Sequence, residues 1–127
     1  MNKFGKGSWR KLNSGVHAKL IALATLVAKR RDISITSGRR GKDEQNNLFE
    51  DGFSKLRFPH SAHNKTPSRA IDATPYPCNW DDLESFDSMR KDFYECANNL
   101  GVKLKPIIKF NNGTFDYPHI ELDNSEI

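Results

Sequence analysis

The segment HSAHNKTPSRAID, residues 60–72, holds His60, His63 and Asp72 in a stretch broken by Pro67. It is too polar for a core and too rich in ligand-type side chains for an ordinary loop. A further histidine, His119, lies near the C-terminal end. Zinc in catalytic sites commonly takes three protein ligands from His, Asp and Glu and leaves a fourth position to water. His63, Asp72 and His119 can supply such a set, and His60 is an alternative nitrogen three residues before His63. Taken singly, each has a plainer explanation as a solvated polar side chain. His17, with no ligand-type neighbour, is read that way. The cysteines offer no competing site. Cys78 and Cys96 form neither a Cys-x-x-Cys pair nor a disulfide framework, and Cys96 falls on an apolar helix face, where a buried thiol is expected.

The elements that must position these groups can be read from local pattern. Leu20, Ile21, Ala24 and Val27 mark a helix over 16–30. ISITS (33–37) alternates with β-branched residues and predicts a strand. KDEQNNLFEDG (42–52) predicts a short helix with acidic residues in its first turn and Gly52 as its stop. Residues 53–69 read as a loop, and AIDAT (70–74) as a strand closed by PYP. Asp72 is unusual there, because strands disfavour aspartate and something must compensate its charge. Asn79 is the expected cap of a helix over 80–100, with Gly101 after its end. Leu83, Phe86, Phe93, Cys96, Ala97 and Leu100 form its expected buried stripe. KPIIKF (105–110) and TFDYPHIEL (114–122) flank NNG, which supplies the positive φ angles of a tight hairpin. Pro118 makes the returning strand an edge or irregular. The mixture predicts an α+β domain, a small mainly antiparallel sheet packed with about three helices.

With 127 residues, of which 36% are hydrophobic and 28% charged, the chain fits one domain over 1–127 with one core. The longest apolar stretch, LIALATLVA (20–28), is too short to span a bilayer. The N-terminus lacks the apolar run of a secretory signal, so the product is expected first in the cytoplasm, without membrane insertion. Net charge is +4, with Lys3, Lys6, Arg10, Lys11, Lys19, Lys29, Arg30 and Arg31 concentrated in the first quarter. That suits either a solvated surface or attraction to a polyanion. Aromatic residues are not interleaved with the basic ones, so a dedicated nucleic-acid partner is not expected.

SAHNKTPSRAIDATPYP (61–77) resembles the first zinc motif of the metallopeptidase group that includes lysostaphin-type enzymes, D-alanyl-D-alanine metallopeptidases and the hedgehog signalling domain. The motif runs Ser-x-His, a spacer, then Ala-x-Asp, matched by Ser61, His63, Ala70 and Asp72. DYPHIEL (116–122) resembles the second motif, a carboxylate three residues before the last zinc histidine. SGRRGKDEQ (37–45) resembles the stretch with the group's active-site arginine, matched by Arg40. SGVHAKLIAL (14–23) resembles its usual first helix. The matches run in order from about residue 8 to 122 and are most similar to the phage L-alanyl-D-glutamate peptidases that serve as endolysins. The spacer between His63 and Asp72 is longer than the commonest glycine-containing form and resembles a phage-type variant.

The resemblance implies Zn2+ on His63, Asp72 and His119, holding a water whose pKa falls to about 7. It implies Asp116 as general base and Arg40 as counter-charge to the oxyanion, with Ser61 orienting the first ligand. Glu121 shares a strand face with His119 and is a rival base. Asp116 could otherwise pair with Lys109, and Arg40 with Asp43 or Glu44. The implied substrate is the peptidoglycan stem peptide, cut by a monomer that waits in the host bacterial cytoplasm until release onto the periplasmic wall. No separate wall-binding domain is expected. A D-alanyl-D-alanine carboxypeptidase, a zinc-binding non-catalytic domain and a basic envelope- or nucleic-acid-binding module are the alternatives.

Overall fold

The computed structural model of the chain describes residues 4–127, so Lys3 lies outside the described residues. In chain order the elements are α1 (Lys6–Leu12), α2 (Ala18–Arg30), β1 (Ile33–Ser37), α3 (Lys42–Glu50), a 3-10 turn (Ala62–Asn64), β2 (Ala70–Pro75), α4 (Leu83–Leu100) and β3 (His119–Glu121). The strands form one antiparallel sheet in the order β1-β2-β3. This is the expected α+β class.

Register decides which residues meet at the site. Ile71 pairs with Ile120 and Asp72 with His119 across β2 and β3. Ile71 and Ile120 are buried in the core with Leu20, Leu23 and Val27 of α2 and Phe86, Met89 and Phe93 of α4. Successive strand side chains face opposite ways, so Asp72 and His119 share the other face. A one-residue slip would expose Ile71 and bury Asp72. Each exposed isoleucine would forfeit about 1.5–3 kcal/mol, so core packing holds the polar pair in place. Between β1 and β2 the register shifts at Thr36, which brings Ser37 opposite Asp72. Such a bulge re-aims the strand end, and here the Ser37 hydroxyl beyond it accepts the Arg40 Nε–H at 3.0 Å.

α2 begins two residues later than predicted. His17 caps it, its Nδ1 accepting the Lys19 N–H at 3.1 Å. α1 was not expected: seven residues carry too little periodicity to reveal a helix, yet it buries Leu12 and Ser8, and the Ser8 hydroxyl accepts the Ile35 N–H at 2.9 Å.

α4 starts at Leu83 and not at residue 80, because Asp82 and not Asn79 is its cap. The Asp82 carboxylate accepts the Ser85 N–H at 3.2 Å, while the Asn79 side chain accepts from Asp81 in the preceding turn. Phe86, Phe93, Cys96 and Ala97 are buried as predicted. Leu83 and Leu100, at the two ends, are instead exposed, since an end residue overhangs the surface its helix packs on. Gly101 closes the helix at φ 71°, a left-handed cap suited to glycine.

The predicted hairpin exists only in part. Lys109 and Phe115 form an isolated bridge around Gly113, and Lys105 donates its N–H to the Glu121 carbonyl at 2.9 Å. A continuous ladder does not form, consistent with Pro106 and Pro118 lacking N–H donors. Pro118 immediately precedes β3, which is an edge strand as expected.

Candidate active site

Three separate pieces of chain converge. The sheet contributes Asp72 and His119, and the 3-10 turn contributes His63. The Ser61 hydroxyl caps that turn by accepting the His63 N–H at 3.2 Å, and the Asn64 side chain accepts the Ser61 N–H at 3.0 Å. Ser61 therefore positions the backbone of His63, while the Gly38 carbonyl holds its ring, 2.8 Å from Nδ1. Arg40 N–H donates to the His63 carbonyl at 2.8 Å. Gly38 has no room for a side chain: a Cβ there would stand 2.5 Å from the Lys11 carbonyl oxygen.

These contacts fix the tautomers. A carbonyl only accepts, so His63 Nδ1 carries hydrogen and Nε2 presents a lone pair. Nε2 is buried without a hydrogen-bond partner. His119 Nε2 stands 2.9 Å from Glu121 Oε1, which leaves Nδ1 facing inward. Asp72 Oδ1 lies 3.5 Å from His63 Nε2 and 3.4 Å from His119 Nδ1, long for direct hydrogen bonds. Its Oδ2 is held by Arg40 Nη2 at 2.8 Å. One ligand atom from each of the three residues lies within 4.8 Å of the others. Three inward donors, each with its outer atom tied to a second group, form the arrangement expected around a metal. An orphaned buried nitrogen and a nitrogen–oxygen donor set without sulfur fit zinc.

The electrostatics follow from the same contacts. Burial alone would raise the Asp72 pKa, but His119 and His63 outweigh it and hold the carboxyl well below its usual range. Burial lowers His119, yet Asp72 and Glu121 raise it to about 9. Burial raises Glu121, and His119 and Lys105 bring it down to about 2. Lys105 Nζ stands 2.8 Å from Glu121 Oε2. Glu121 is thus occupied behind the His119 ring.

Asp116 sits on a turn whose carbonyl accepts the His119 N–H at 3.3 Å. Its pKa is raised, chiefly by burial and partly offset by His119. The carboxylate has no hydrogen-bond partner among the described residues, Lys109 included. Arg40 pairs with Asp72 and not with Asp43 or Glu44. His60 is exposed and outside the ligand cluster.

Two supporting residues were not legible in the sequence. Gln45 is fully buried. Its Oε1 faces Arg40 Nη1 at 3.4 Å and Asn64 Nδ2 at 3.3 Å, and its Nε2 donates to the Leu56 carbonyl at 2.6 Å. Arg90 is also buried; Nη1 donates to the carbonyls of Tyr117 at 2.9 Å and His119 at 2.5 Å, and Nη2 to the Tyr94 hydroxyl at 3.0 Å. It ties α4 to the segment that carries Asp116 and His119. A polar residue on the predicted apolar stripe of α4 was the only available signal.

The architecture is a small α+β fold built around three residues whose inward atoms could hold a metal ion. The crystal structure of the Serratia marcescens L-Ala D-Glu endopeptidase ChiX superposes with a TM-score of 0.78 at 20% identity, covering 96% of this chain and 91% of that one. The family model described as phage L-alanyl-D-glutamate peptidase matches residues 1–123. The L-alanyl-D-glutamate peptidase of Escherichia phage T5 is 31% identical over 135 residues, 94% of this chain and 97% of that protein. The chain belongs to the phage L-alanyl-D-glutamate peptidase family.

Proposed function

We propose that the chain is a zinc-dependent endolysin that hydrolyses the L-alanyl–D-glutamate bond of peptidoglycan stem peptides. The observation that carries this reading is the convergence of His63 Nε2, Asp72 Oδ1 and His119 Nδ1, with the unpartnered Asp116 carboxylate three residues from the last ligand. His63, Asp72 and His119 would hold the zinc, which when bound would supply Lewis acidity toward water and the scissile carbonyl.

The protein's own groups account for the proton traffic. Burial makes Asp116 a stronger base than a solvated aspartate. Asp116 takes a proton from the attacking water and passes it to the departing nitrogen. The C–N bond breaks, alanine keeps the new carboxylate, and glutamate keeps the amine. Arg40, fixed on Asp72, places positive charge beside the ligand cluster, where it offsets the charge that develops on the carbonyl oxygen. Glu121 is assigned to holding the His119 ring.

Catalysis and substrate binding are assigned to a single domain that works as a monomer. Among the described residues no helix is long and apolar enough to cross a membrane. Release from the host cytoplasm onto the periplasmic wall is assigned to other agents. Mass spectrometry of digested peptidoglycan tests the reading. The expected products are glycan-linked L-alanine with a free carboxylate and a peptide beginning with D-glutamate, both lost on chelation. Removal of terminal D-alanine alone would replace this reading with that of a carboxypeptidase.

A further inference from the structure

An open cleft of about 440 Å³ is lined by Trp80, Leu83, Phe86, Phe115, Tyr117 and Pro118 together with Gly113 and Thr114 of the NNG turn and its flank. It shares a chain segment with the site: Tyr117 and Pro118 are the two residues between Asp116 and His119. Trp80 stacks on Phe86 with ring centroids 5.1 Å apart and planes at 23°. Phe86 and Phe115 each approach Tyr117 at 6.2 Å. The rings form a continuous aromatic wall. Trp80, at 62% exposure, and Leu83, at 50%, spend large apolar surfaces on water. Leu83 overhangs at the helix start, and Trp80 lies outside the helix altogether; together they present an apolar wall suited to a ligand.

The charge around the cleft selects its occupant. No lining side chain is charged. Asp81, Asp82 and Glu84 stand next to Trp80 and Leu83 in the chain and are exposed. Lys109 approaches the rings from outside the cleft, its Nζ 6.0 Å from the Phe115 centroid. A peptidoglycan stem is chemically asymmetric about the L-alanyl–D-glutamate bond. On the glutamate side it carries free carboxylates. On the alanine side the amine is acylated by the lactyl arm of an N-acetylated hexose, a neutral body with apolar C–H faces. An uncharged aromatic cleft with acidic neighbours suits the sugar and repels the carboxylates.

We propose that this cleft is the subsite for the N-acetylmuramyl ring, so that the enzyme recognises the stem peptide while it is still attached to glycan. The proposal rests on the bond assignment made above and adds the direction in which the substrate lies: sugar toward Trp80 and Phe115, glutamate carboxylates away from α4. The flat, rigid rings give contact area at little conformational cost.

The test compares kcat/KM for a muramyl tetrapeptide and for the N-acetylated tetrapeptide of the same sequence, which present the same bond with and without the sugar. The zinc-loaded enzyme is expected to favour the muramyl substrate by about tenfold, the scale of one well-made aromatic contact. Trp80→Ala and Phe115→Ala should each bring that ratio close to one. Phe53→Ala, which removes a comparably exposed ring outside the cleft, should keep it. Equal kcat/KM for the two substrates with the unaltered enzyme would overturn the subsite and leave the bond assignment standing. An equal fall of the ratio in Phe53→Ala would also overturn it. Cleavage of neither substrate would overturn both readings.

Discussion

Asp72 and His119 are cross-strand partners, and Asp72 Oδ1 meets His119 Nδ1 at 3.4 Å. Sheet pairing thus delivers two of the three inward donors, and only His63 depends on a loop. Asp72→Ala should abolish stoichiometric zinc and loosen residues 60–72, since it removes the group that faces both histidines and anchors Arg40. For the unaltered protein, zinc at about a thousand times its Kd would add about 4 kcal/mol. Chelation should then lower the melting temperature by several degrees or more. Calorimetry with verified metal content checks both outcomes; an unchanged melting curve after chelation would break the proposed coupling.

With zinc proposed on His119, protons should compete with the metal there. Its pKa in the metal-free protein is about 9 against an ordinary 6.5, the pull of Asp72 and Glu121 exceeding the opposing effect of burial. The raised value means that this group's contribution to metal-free stability is complete below about pH 6.5 and is lost as pH rises through 9. Zinc affinity should run the other way, rising by about tenfold per pH unit as the His119 proton is displaced and levelling off above 9. Competition titration against a buffered chelator between pH 6 and 10 measures it, and a flat profile would exclude His119 as ligand.

Glu121 bridges His119 Nε2 and Lys105 Nζ. Glu121→Gln should weaken zinc binding by about 10–100-fold, the usual cost of losing a group that orients a metal-ligating histidine. At saturating zinc it should leave most of the turnover. Titration followed by assay at full loading separates this from a catalytic loss.

The backbone supports are equally exposed to test. Gly38→Ala sets a methyl 2.5 Å from the Lys11 carbonyl oxygen and 2.9 Å from Val16 Cγ2. It should cost about 1–3 kcal/mol of stability and shift the carbonyl that holds His63. Arg90→Ala strands the Tyr117 and His119 carbonyls and should cost about as much. Chemical denaturation of both variants, with and without zinc, checks these values.

The convergence of His63, Asp72 and His119 was readable because metal-ligating chemistry restricts the candidates to a few residue types and the motifs place them in order. The α+β class was readable from periodicity and glycine punctuation. What stayed hidden depends on contacts between distant segments. Gln45 looks like a surface residue of its helix, and Arg90 like an anomaly on an apolar stripe, until the carbonyls of Leu56 and of Tyr117 and His119 arrive beside them. Glu121 could be seen as a rival base but not as the partner of His119, because strand alternation gives a face without giving a ring orientation. The helix over 80–100 was placed three residues early because Asn79 and Asp82 are both good caps, and local sequence does not choose between them.

Asp116 is proposed to act on the proton of the attacking water without holding the metal. Asp116→Ala, assayed for zinc content and peptidoglycan turnover beside the unaltered enzyme at the same pH, tests it most directly. The expected result is near-stoichiometric zinc, native melting behaviour and a loss of roughly a hundredfold or more in turnover, the scale of general-base assistance. A zinc-loaded Asp116→Ala variant that cleaves peptidoglycan at the original rate would contradict it.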